Sequence, residues 1–339
     1  MMKKALFFQT KGNAVECGLC GHHCLIKRGR RGICGVRENQ EGTLYSLVYG
    51  KLSAENFDPV EKKPLFHFLP GSLTYSIATV GCNFKCLHCQ NHSLSQVGRH
   101  SGQIPHIVRR PEDVVGAAVS SRCQSISYTY SEPTIFFEFA YDCCVIAREN
   151  GLANIFVSNG FMSRKAAKML VPVLDAINID VKSFSESFYS KVCGGMLDRV
   201  LANVKFFWQQ GVWVEITTLL IPGLNDSDEE IRAIADFLVA IDANIVWHVS
   251  GFRPTYKMID RPPTSAARLQ SARRIGLEAG LRYVYVGNIH GGEGENTCCP
   301  DCRRDIITRS GFSVKKNEIR AGKCPFCSSA IAGVWGIGQ

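Results

Sequence analysis

The decisive stretch of the sequence is Gly81-Cys82-Asn83-Phe84-Lys85-Cys86-Leu87-His88-Cys89-Gln90-Asn91. It places three cysteines at C-x3-C-x2-C spacing directly after residues 74–80, whose apolar composition predicts a strand. Three thiolates that converge from one loop are suited to hold three irons of a cubane [4Fe–4S] cluster and to leave the fourth iron open to an exchangeable ligand. The alternative is a zinc site with a distant fourth ligand, because Cys and His both bind Zn²⁺.

The sequence around this loop alternates short apolar runs with amphipathic runs. The predicted strands cover residues 74–80, 125–130, 154–158, 176–181, 212–219, 245–249 and 282–286, and the predicted helices cover residues 111–121, 134–150, 163–174, 199–210, 227–240 and 264–279. Strands and helices that alternate in this way predict a parallel sheet with right-handed crossovers. We therefore predict an α/β fold, a partial TIM-type (β/α)6 parallel barrel at residues 71–290. Small cysteine-rich metal-binding segments at residues 1–70 and 291–339 flank it.

Polar residues follow nearly every predicted strand. Chemistry in parallel barrels gathers at the carboxyl ends of the strands, so these residues are expected to share one face. They are the cysteine loop, Tyr130, Ser131, Glu132, Ser158, Asn159, Asp180, Lys182, Glu215, His248, Ser250, Asn288 and His290. Their convergence predicts the active site of an enzyme.

Composition and charge limit the partners of the chain. The chain has 339 residues and a formal net charge of +9, with a basic run at Lys27, Arg28, Arg30 and Arg31. A basic surface of this kind is suited to nucleic acid, a phosphorylated substrate or an acidic electron donor of the flavodoxin or ferredoxin type. The alternative is a solvated surface without a partner, and charge alone does not decide between them. No stretch approaches the roughly 20 apolar residues of a membrane helix, and the N-terminal apolar run is too short for a signal peptide. We expect a cytoplasmic protein that does not enter the membrane.

Eleven of the 16 cysteines fall into three tight clusters, which favours metal ligation over disulfides. The C-terminal cluster has the C-x2-C…C-x2-C pattern of a zinc ribbon or of a rubredoxin-like iron site, and it predicts four ligands: Cys299, Cys302, Cys324 and Cys327. Five cysteines lack ligand spacing and are expected to be buried bystanders: Cys123, Cys143, Cys144, Cys193 and Cys298.

The N-terminal cluster predicts a second four-cysteine set, made of Cys17, Cys20, Cys24 and Cys34. Zinc and an auxiliary [4Fe–4S] cluster both fit this pattern, and His22 or His23 can replace one of the thiols.

Residues 58–68 combine charge, proline and aromatic rings. They predict a lid or an ordered connector, with Lys62, Lys63 and His67 as candidate substrate contacts.

The cysteine loop and the strand-end residues resemble the radical S-adenosylmethionine (SAM) superfamily, most closely its pyruvate formate-lyase activating enzyme-like branch. Within that branch the chain resembles the radical SAM component of the AmmeMemoRadiSam system, and the resemblance includes residues 17–37, residues 58–68 and both terminal cysteine sets. It implies a [4Fe–4S] cluster on Cys82, Cys86 and Cys89, together with SAM as the second cofactor.

The resemblance also implies roles for the strand-end residues. Glu132, in a Tyr-Ser-Glu-Pro turn where the family has Gly-Gly-Glu-Pro, would orient the methionyl amino group of SAM, while Ser158 and Asn159 would contact its ribose or carboxylate. Asp180 and Lys182 match an Asp-x-Lys element of the branch, and Lys182 is suited to hold a carboxylate. His88 stands where the family often has an aromatic residue against adenine.

The resemblance implies reductive cleavage of SAM to a 5′-deoxyadenosyl radical that abstracts hydrogen from a substrate. We expect the substrate to be a protein, an RNA or a metabolite that becomes modified, alongside partners of the AmmeMemoRadiSam system. One alternative is an activase that installs a glycyl radical on a partner enzyme. An alternative of another class is a zinc-dependent nucleic-acid-binding scaffold, which the basic charge and the zinc-like clusters favour.

Overall fold

The computed structural model describes residues 2–97, 106–288 and 294–336. Its centre is an eight-stranded sheet, whose strands we number in chain order: β1 (Ala54–Pro59), β2 (Leu73–Ala78), β3 (Ser125–Tyr128), β4 (Ala153–Ser158), β5 (Ala176–Asp180), β6 (Trp213–Leu220), β7 (Val246–Gly251) and β8 (Val284–Gly287). Strands β2 to β8 lie side by side in chain order, and each pair is parallel. The predicted parallel α/β partial barrel is confirmed.

Six helices connect the parallel strands and cover the outer face of the sheet. They are α1 (Pro111–Ser120), α2 (Phe137–Glu149), α3 (Arg164–Leu170), α4 (Leu197–Gln209), α5 (Asp228–Val239) and α6 (Ala266–Ala279). Serine hydroxyls cap α3, α5 and α6 by accepting hydrogen bonds from first-turn N–H groups. The helices turn apolar side chains such as Val204, Phe207 and Leu238 toward the strands, where they are fully buried.

One strand of the sheet was absent from the predicted set. Strand β1 pairs antiparallel with β2, from Ala54 opposite Ala78 to Pro59 opposite Leu73. Its six residues include Glu55, Asn56 and Asp58, so the run lacks the apolar composition of the other strands. The antiparallel edge extends the sheet into the segment that precedes the barrel.

The two cysteine-rich segments form small antiparallel sheets. The N-terminal segment contains Lys3–Lys4, Thr43–Ser46 and Arg37–Gln40 in one sheet, and Phe8–Lys11, Ala14–Cys17 and Leu25–Lys27 in a second sheet. Lys51–Leu52 pairs with Ile107–Val108. The C-terminal segment contains Thr297–Cys298, Asp305–Ser310 and Ser313–Asn317.

A buried carboxylate joins the barrel to the chain that precedes it. Glu215 of β6 is fully buried and accepts hydrogen bonds from the backbone N–H groups of Phe66 (2.9 Å) and His67 (2.8 Å). The ring N–H of Trp213 lies 3.0 Å from this carboxylate and Nε2 of His248 lies 2.6 Å from it. Hydrogen bonds to a charged acceptor are stronger than neutral ones, so Glu215 holds the connector against the barrel interior.

The connector at residues 58–68 is ordered by its own polar contacts. Asp58 accepts hydrogen bonds from Nζ of Lys62 (2.8 Å), from Nζ of Lys63 (2.6 Å) and from the Tyr130 hydroxyl. Lys63 is buried in this ion pair. His67 is buried between the Tyr285 hydroxyl and the carbonyl of Ala332, each 2.6 Å from a ring nitrogen. Lys63 and His67 are therefore committed to structural contacts.

Candidate active site

One cavity of about 430 Å³ opens at the carboxyl ends of the parallel strands, and we call it the strand-end cavity. Its wall contains every residue predicted for the first cofactor site: Cys82, Cys86, Cys89, His88, Glu132, Ser158, Asn159, Asp180 and Lys182. Residues separated by up to 100 positions meet there because each one follows a parallel strand, and all of these strands end at the same edge. The strand-end rule therefore places these residues together.

The cysteine loop is fixed by an irregular helical turn that packs against it. Backbone N–H groups of Lys85 and Leu87 donate to the carbonyls of Cys193 (2.7 Å) and Val192 (3.0 Å). These acceptors lie in the single π-helical turn Tyr189–Cys193, a kind of turn often found at functional sites. The Cys193 thiol also hydrogen-bonds Cys86 and lowers its pKa. Cys193 therefore supports the loop, a role that its isolated position in the sequence did not indicate.

Short polar contacts surround the sulfur atoms of the loop. The backbone N–H of Phe84 lies 3.3 Å from Sγ of Cys82, and Oγ of Ser95 lies 3.1 Å from Sγ of Cys89. Burial and the nearby carboxylate of Glu132 raise the pKa of Cys82. Thiolates at these positions therefore need a positively charged group among them, which is what metal ions supply.

Glu132 presents a carboxylate that is held rigidly in the cavity wall. Its Oε1 accepts hydrogen bonds from Thr134 N (3.0 Å), Thr134 Oγ1 (2.5 Å) and Ser158 Oγ (2.8 Å), whereas its Oε2 accepts one from Asn159 N (2.8 Å). Burial raises the pKa of Glu132, and the hydrogen bonds oppose that effect. Oε2, with a single protein donor, keeps acceptor capacity for a cationic ligand group.

A cation and an imidazole complete the other side of the cavity. Nζ of Lys182 lies 2.8 Å from the Asp180 carboxylate. Burial opposes the charge of Lys182, but Asp180 and the neighbouring thiols of Cys86 and Cys193 raise its pKa. Burial and the Lys182 charge lower the pKa of His88 to about 3, so its ring is neutral. The cavity thus carries an anionic side at Glu132 and a cationic side at Lys182.

Three buried polar atoms in the cavity wall lack a protein partner among the described residues. They are Nδ1 of His88, Oγ of Ser131 and Oγ1 of Thr217. A buried polar atom without a partner costs about 1–3 kcal/mol, so a polar ligand in the cavity would offset that cost. The three thiols, the carboxylate, the ammonium and these atoms form a donor set that fits a [4Fe–4S] cluster together with SAM.

Some predicted strand-end residues lie elsewhere, and the cavity includes residues that were not predicted. Glu215 and His248 pair with each other at 2.6 Å and do not line the cavity, whereas Thr217, Ser250 and Asn288 do. His290 lies outside the described residues. Several lining residues were not predicted, among them Ser95 at the end of the short helix His92–Ser95, Thr217 of β6, and Phe312 in the turn of the C-terminal hairpin.

The four C-terminal cysteines form a compact metal-binding geometry. Sγ of Cys299 lies 3.6 Å from Sγ of Cys327, and Sγ of Cys302 lies 3.7 Å from Sγ of Cys324. All four sulfur atoms lie within 4.8 Å of one another. A tetrahedral ion with metal–sulfur bonds of about 2.3 Å places its sulfurs about 3.8 Å apart. The site therefore matches a single tetrahedral metal ion.

The four N-terminal cysteines line a separate small cavity of about 10 Å³. Cys17, Cys20, Cys24 and Cys34 all line it, and burial raises the pKa of Cys34 to about 11. In residues 2–97, 106–288 and 294–336, the C-terminal set alone has all its donor atoms within 4.8 Å of one another, so the N-terminal sulfurs are spread more widely. We call this cavity the N-terminal cysteine site.

Comparison with known proteins identifies the class. Residues 76–238 match the model of the radical SAM superfamily. The uncharacterized protein MJ0808 of Methanocaldococcus jannaschii is 43% identical over 334 residues, which cover 97% of this chain and 99% of that protein. The pyruvate formate-lyase 1-activating enzyme of Escherichia coli K12 is 22% identical over 161 residues, which cover 46% of this chain and 65% of that enzyme.

Two solved structures share the fold. SuiB of Streptococcus suis, bound to S-adenosylmethionine, matches with a TM-score of 0.51 at 15% identity, covering 68% of this chain and 53% of that one. A radical SAM methyltransferase from Sphaerobacter thermophilus also matches with a TM-score of 0.51, at 16% identity, covering 66% of this chain and 68% of that one.

The chain belongs to the radical SAM superfamily and is an enzyme of the radical SAM type. Within the superfamily it is homologous to the pyruvate formate-lyase activating enzymes. The described part of the chain contains no helix long and apolar enough to cross a membrane.

Proposed function

We propose that the protein binds a [4Fe–4S] cluster on Cys82, Cys86 and Cys89, and that it cleaves SAM reductively in the strand-end cavity. Such a cluster, when bound and reduced, supplies one electron to the sulfonium of SAM. A C–S bond then breaks, and the products are methionine and a 5′-deoxyadenosyl radical. The observation that carries the proposal is the opposed pair of charges beside the three thiols. Glu132 and Lys182 match the ammonium and the carboxylate of the methionyl group.

The residues of the chain orient the cofactor and exclude water. The Glu132 carboxylate receives the ammonium because four protein donors fix its position, and Asn159 and Ser158 lie beside it for the ribose or the carboxylate. Lys182 is held by Asp180 near the sulfur atoms and offers a cation to the carboxylate of SAM. The neutral ring of His88 gives adenine a flat surface for stacking.

The abstracted hydrogen comes from a protein, an RNA or a metabolite that becomes modified. We favour this over activation of a glycyl-radical enzyme because the C-terminal segment contributes Phe312 to the cavity wall. A minimal activase does not require the two additional cysteine-rich segments, and one of them lies beside the cavity. The partners of the AmmeMemoRadiSam system belong to this proposal. Membership of the radical SAM superfamily favours the enzyme over the nucleic-acid-binding scaffold.

The remaining parts of the proposal concern metals, partners and location. The C-terminal cysteines hold zinc, because their sulfur spacing matches a tetrahedral ion and the small hairpin has little apolar core of its own. An electron donor of the flavodoxin or ferredoxin type reduces the protein in the cytoplasm.

The test is formation of 5′-deoxyadenosine from SAM by the anaerobically reconstituted and dithionite-reduced protein. Wild type is expected to form the product, and Cys86→Ala is expected to form none while it keeps the circular dichroism spectrum of the barrel. Cys123→Ala is the matched control, because Cys123 is buried like Cys86 but lies outside the three clusters. Product formation by Cys86→Ala at the wild-type rate would contradict the ligand assignment.

A further inference from the structure

We propose that the N-terminal cysteine site holds a second [4Fe–4S] cluster, which passes electrons to the first one. The inference rests on the proposed function for the role of the first cluster. It concerns Cys17, Cys20, Cys24 and Cys34, whose spacing in the sequence fits zinc and iron equally. Three structural observations support the cluster.

The first observation is the width of the site. Four sulfurs around one zinc ion lie about 3.8 Å apart, as the C-terminal cysteines do. The N-terminal sulfurs do not all fall within 4.8 Å of one another, although all four residues line the same cavity. A cubane has an iron atom at each of four separate corners, so its thiolates stand farther apart than the ligands of a single ion.

The second observation is a pair of buried N–H donors in the cavity wall. Nδ2 of Asn83 and Nε of Arg37 have no hydrogen-bond partner among the described residues, and each residue is 1% exposed. The other nitrogens of Arg37 are engaged: they donate to Glu138 at 2.7 and 3.0 Å and to the carbonyl of Leu6 at 2.9 Å. Sulfide and thiolate sulfurs of a cluster accept such bonds, and hydrogen bonds to the sulfurs adjust its potential.

The third observation is the contact between the two cysteine sites. Oδ1 of Asn83 lies 3.8 Å from Sγ of Cys82, while the same side chain lines the N-terminal cysteine site. Nε2 of His22 lies 2.8 Å from the carbonyl of Asn83. Gly81 has a φ of +103°, and a Cβ atom at this position would lie 2.9 Å from the carbonyl oxygen of Cys34. The two loops are therefore in direct contact, and one amide side chain connects them.

This arrangement gives a one-electron relay. A reduced donor of the flavodoxin or ferredoxin type would lose one electron to a cluster held by Cys17, Cys20, Cys24 and Cys34. That cluster would then pass the electron to the one held by Cys82, Cys86 and Cys89. No bond is formed or broken in the transfer, and no proton is required. Leu19, Ile26 and Ile135 are buried apolar residues of the cavity wall, and they would shield a cluster on that side from water.

Counting metals tests the proposal directly. Wild-type protein reconstituted with iron, sulfide and zinc is expected to hold about eight irons and eight sulfides per chain, since each cluster holds four of each. Cys34→Ser is expected to lose about half of both, and the matched control Cys123→Ser neither. About four irons together with a second zinc ion in wild type would overturn the proposal.

Electron paramagnetic resonance (EPR) tests the proposal on the wild-type protein, so the result does not depend on whether a variant folds. Part of the signal of the reduced protein is expected to change when SAM is added, and part is expected to stay the same. Cys86→Ala is expected to lose the SAM-responsive part and to keep the other. A reduced wild-type protein whose whole signal responds to SAM would contradict the second cluster, whereas a signal that never responds would contradict the first one.

Discussion

Replacement of Glu132 by Gln tests how the cavity recognises SAM. Three of the four donors to the carboxylate meet at Oε1, so the amide NH2 of Gln is expected at the Oε2 position, opposite the N–H of Asn159. The change removes one hydrogen bond between charged groups, worth about 1.5–3 kcal/mol. At about 1.4 kcal/mol for each factor of ten, SAM should bind about 10- to 150-fold more weakly.

The assay is equilibrium dialysis of SAM against anaerobically reconstituted protein, with iron content matched between samples. Because the N–H of Asn159 loses its acceptor, the free energy of unfolding should also fall by about 1–3 kcal/mol. Glu149→Gln provides the control, since this exposed residue ends α2 and lies outside the cavity. An unchanged SAM affinity at equal iron content would refute the assignment of Glu132 to the ammonium group.

Three further predictions concern stability and metal content. Glu215→Gln should lower the free energy of unfolding, measured in urea, by about 3–5 kcal/mol, because an amide replaces a buried charge that accepts four hydrogen bonds. The control is Glu278→Gln, which should change this free energy little because Glu278 belongs to an exposed ion pair. Burial lowers the pKa of His67 to about 4 in the folded protein, whereas the unfolded chain has the usual value of about 6.5. Between these two pH values only the unfolded chain protonates His67, so about 3 kcal/mol of stability is lost as the pH falls through this range. His67→Gln should therefore lose less stability than wild type between pH 7.5 and 4.5, and equal losses would count against this explanation. Cys324→Ala should release one equivalent of metal and loosen the C-terminal hairpin, as limited proteolysis would show; an unchanged metal content would exclude the site.

The parallel barrel was predictable because its strands are short, rich in apolar residues and buried on both faces. The runs predicted at residues 125–130, 154–158 and 176–181 overlap Ser125–Tyr128, Ala153–Ser158 and Ala176–Asp180. Strand β1 was not predictable in the same way, because its pairing with β2 is antiparallel and its charged residues mask the pattern. Local composition therefore identifies a buried strand, whereas an edge strand depends on the neighbour with which it pairs.

The candidate site was predictable where the position at a strand end determines the geometry. Glu132, Asn159 and Lys182 each follow a strand and line the cavity. Glu215 was wrongly predicted to line the cavity. It pairs with Asn178, whereas Thr217, two positions further along β6, pairs with Asp180. Thr217 therefore lines the cavity, whereas Glu215 lies two residues below it in the interior of the barrel. The sequence of β6 alone does not show which of its residues lies level with Asp180 of the neighbouring strand.

The contribution of Cys193 depends on contacts over a distance of about 100 residues in the chain. Its turn packs against the cysteine loop through the backbone of Lys85 and Leu87. Nothing in the spacing of Cys193 distinguishes it from the four other isolated cysteines. The same holds for Phe312, which reaches the cavity only because the C-terminal hairpin folds back over the barrel.

The most direct test of the central claim is the EPR spectrum of the reduced protein before and after SAM is added. A cluster held by three cysteines has an iron that SAM can bind, so we predict that SAM changes the spectrum of wild type. No such change is expected in Cys86→Ala. A reduced cluster that gives the same spectrum with and without saturating SAM would contradict the account.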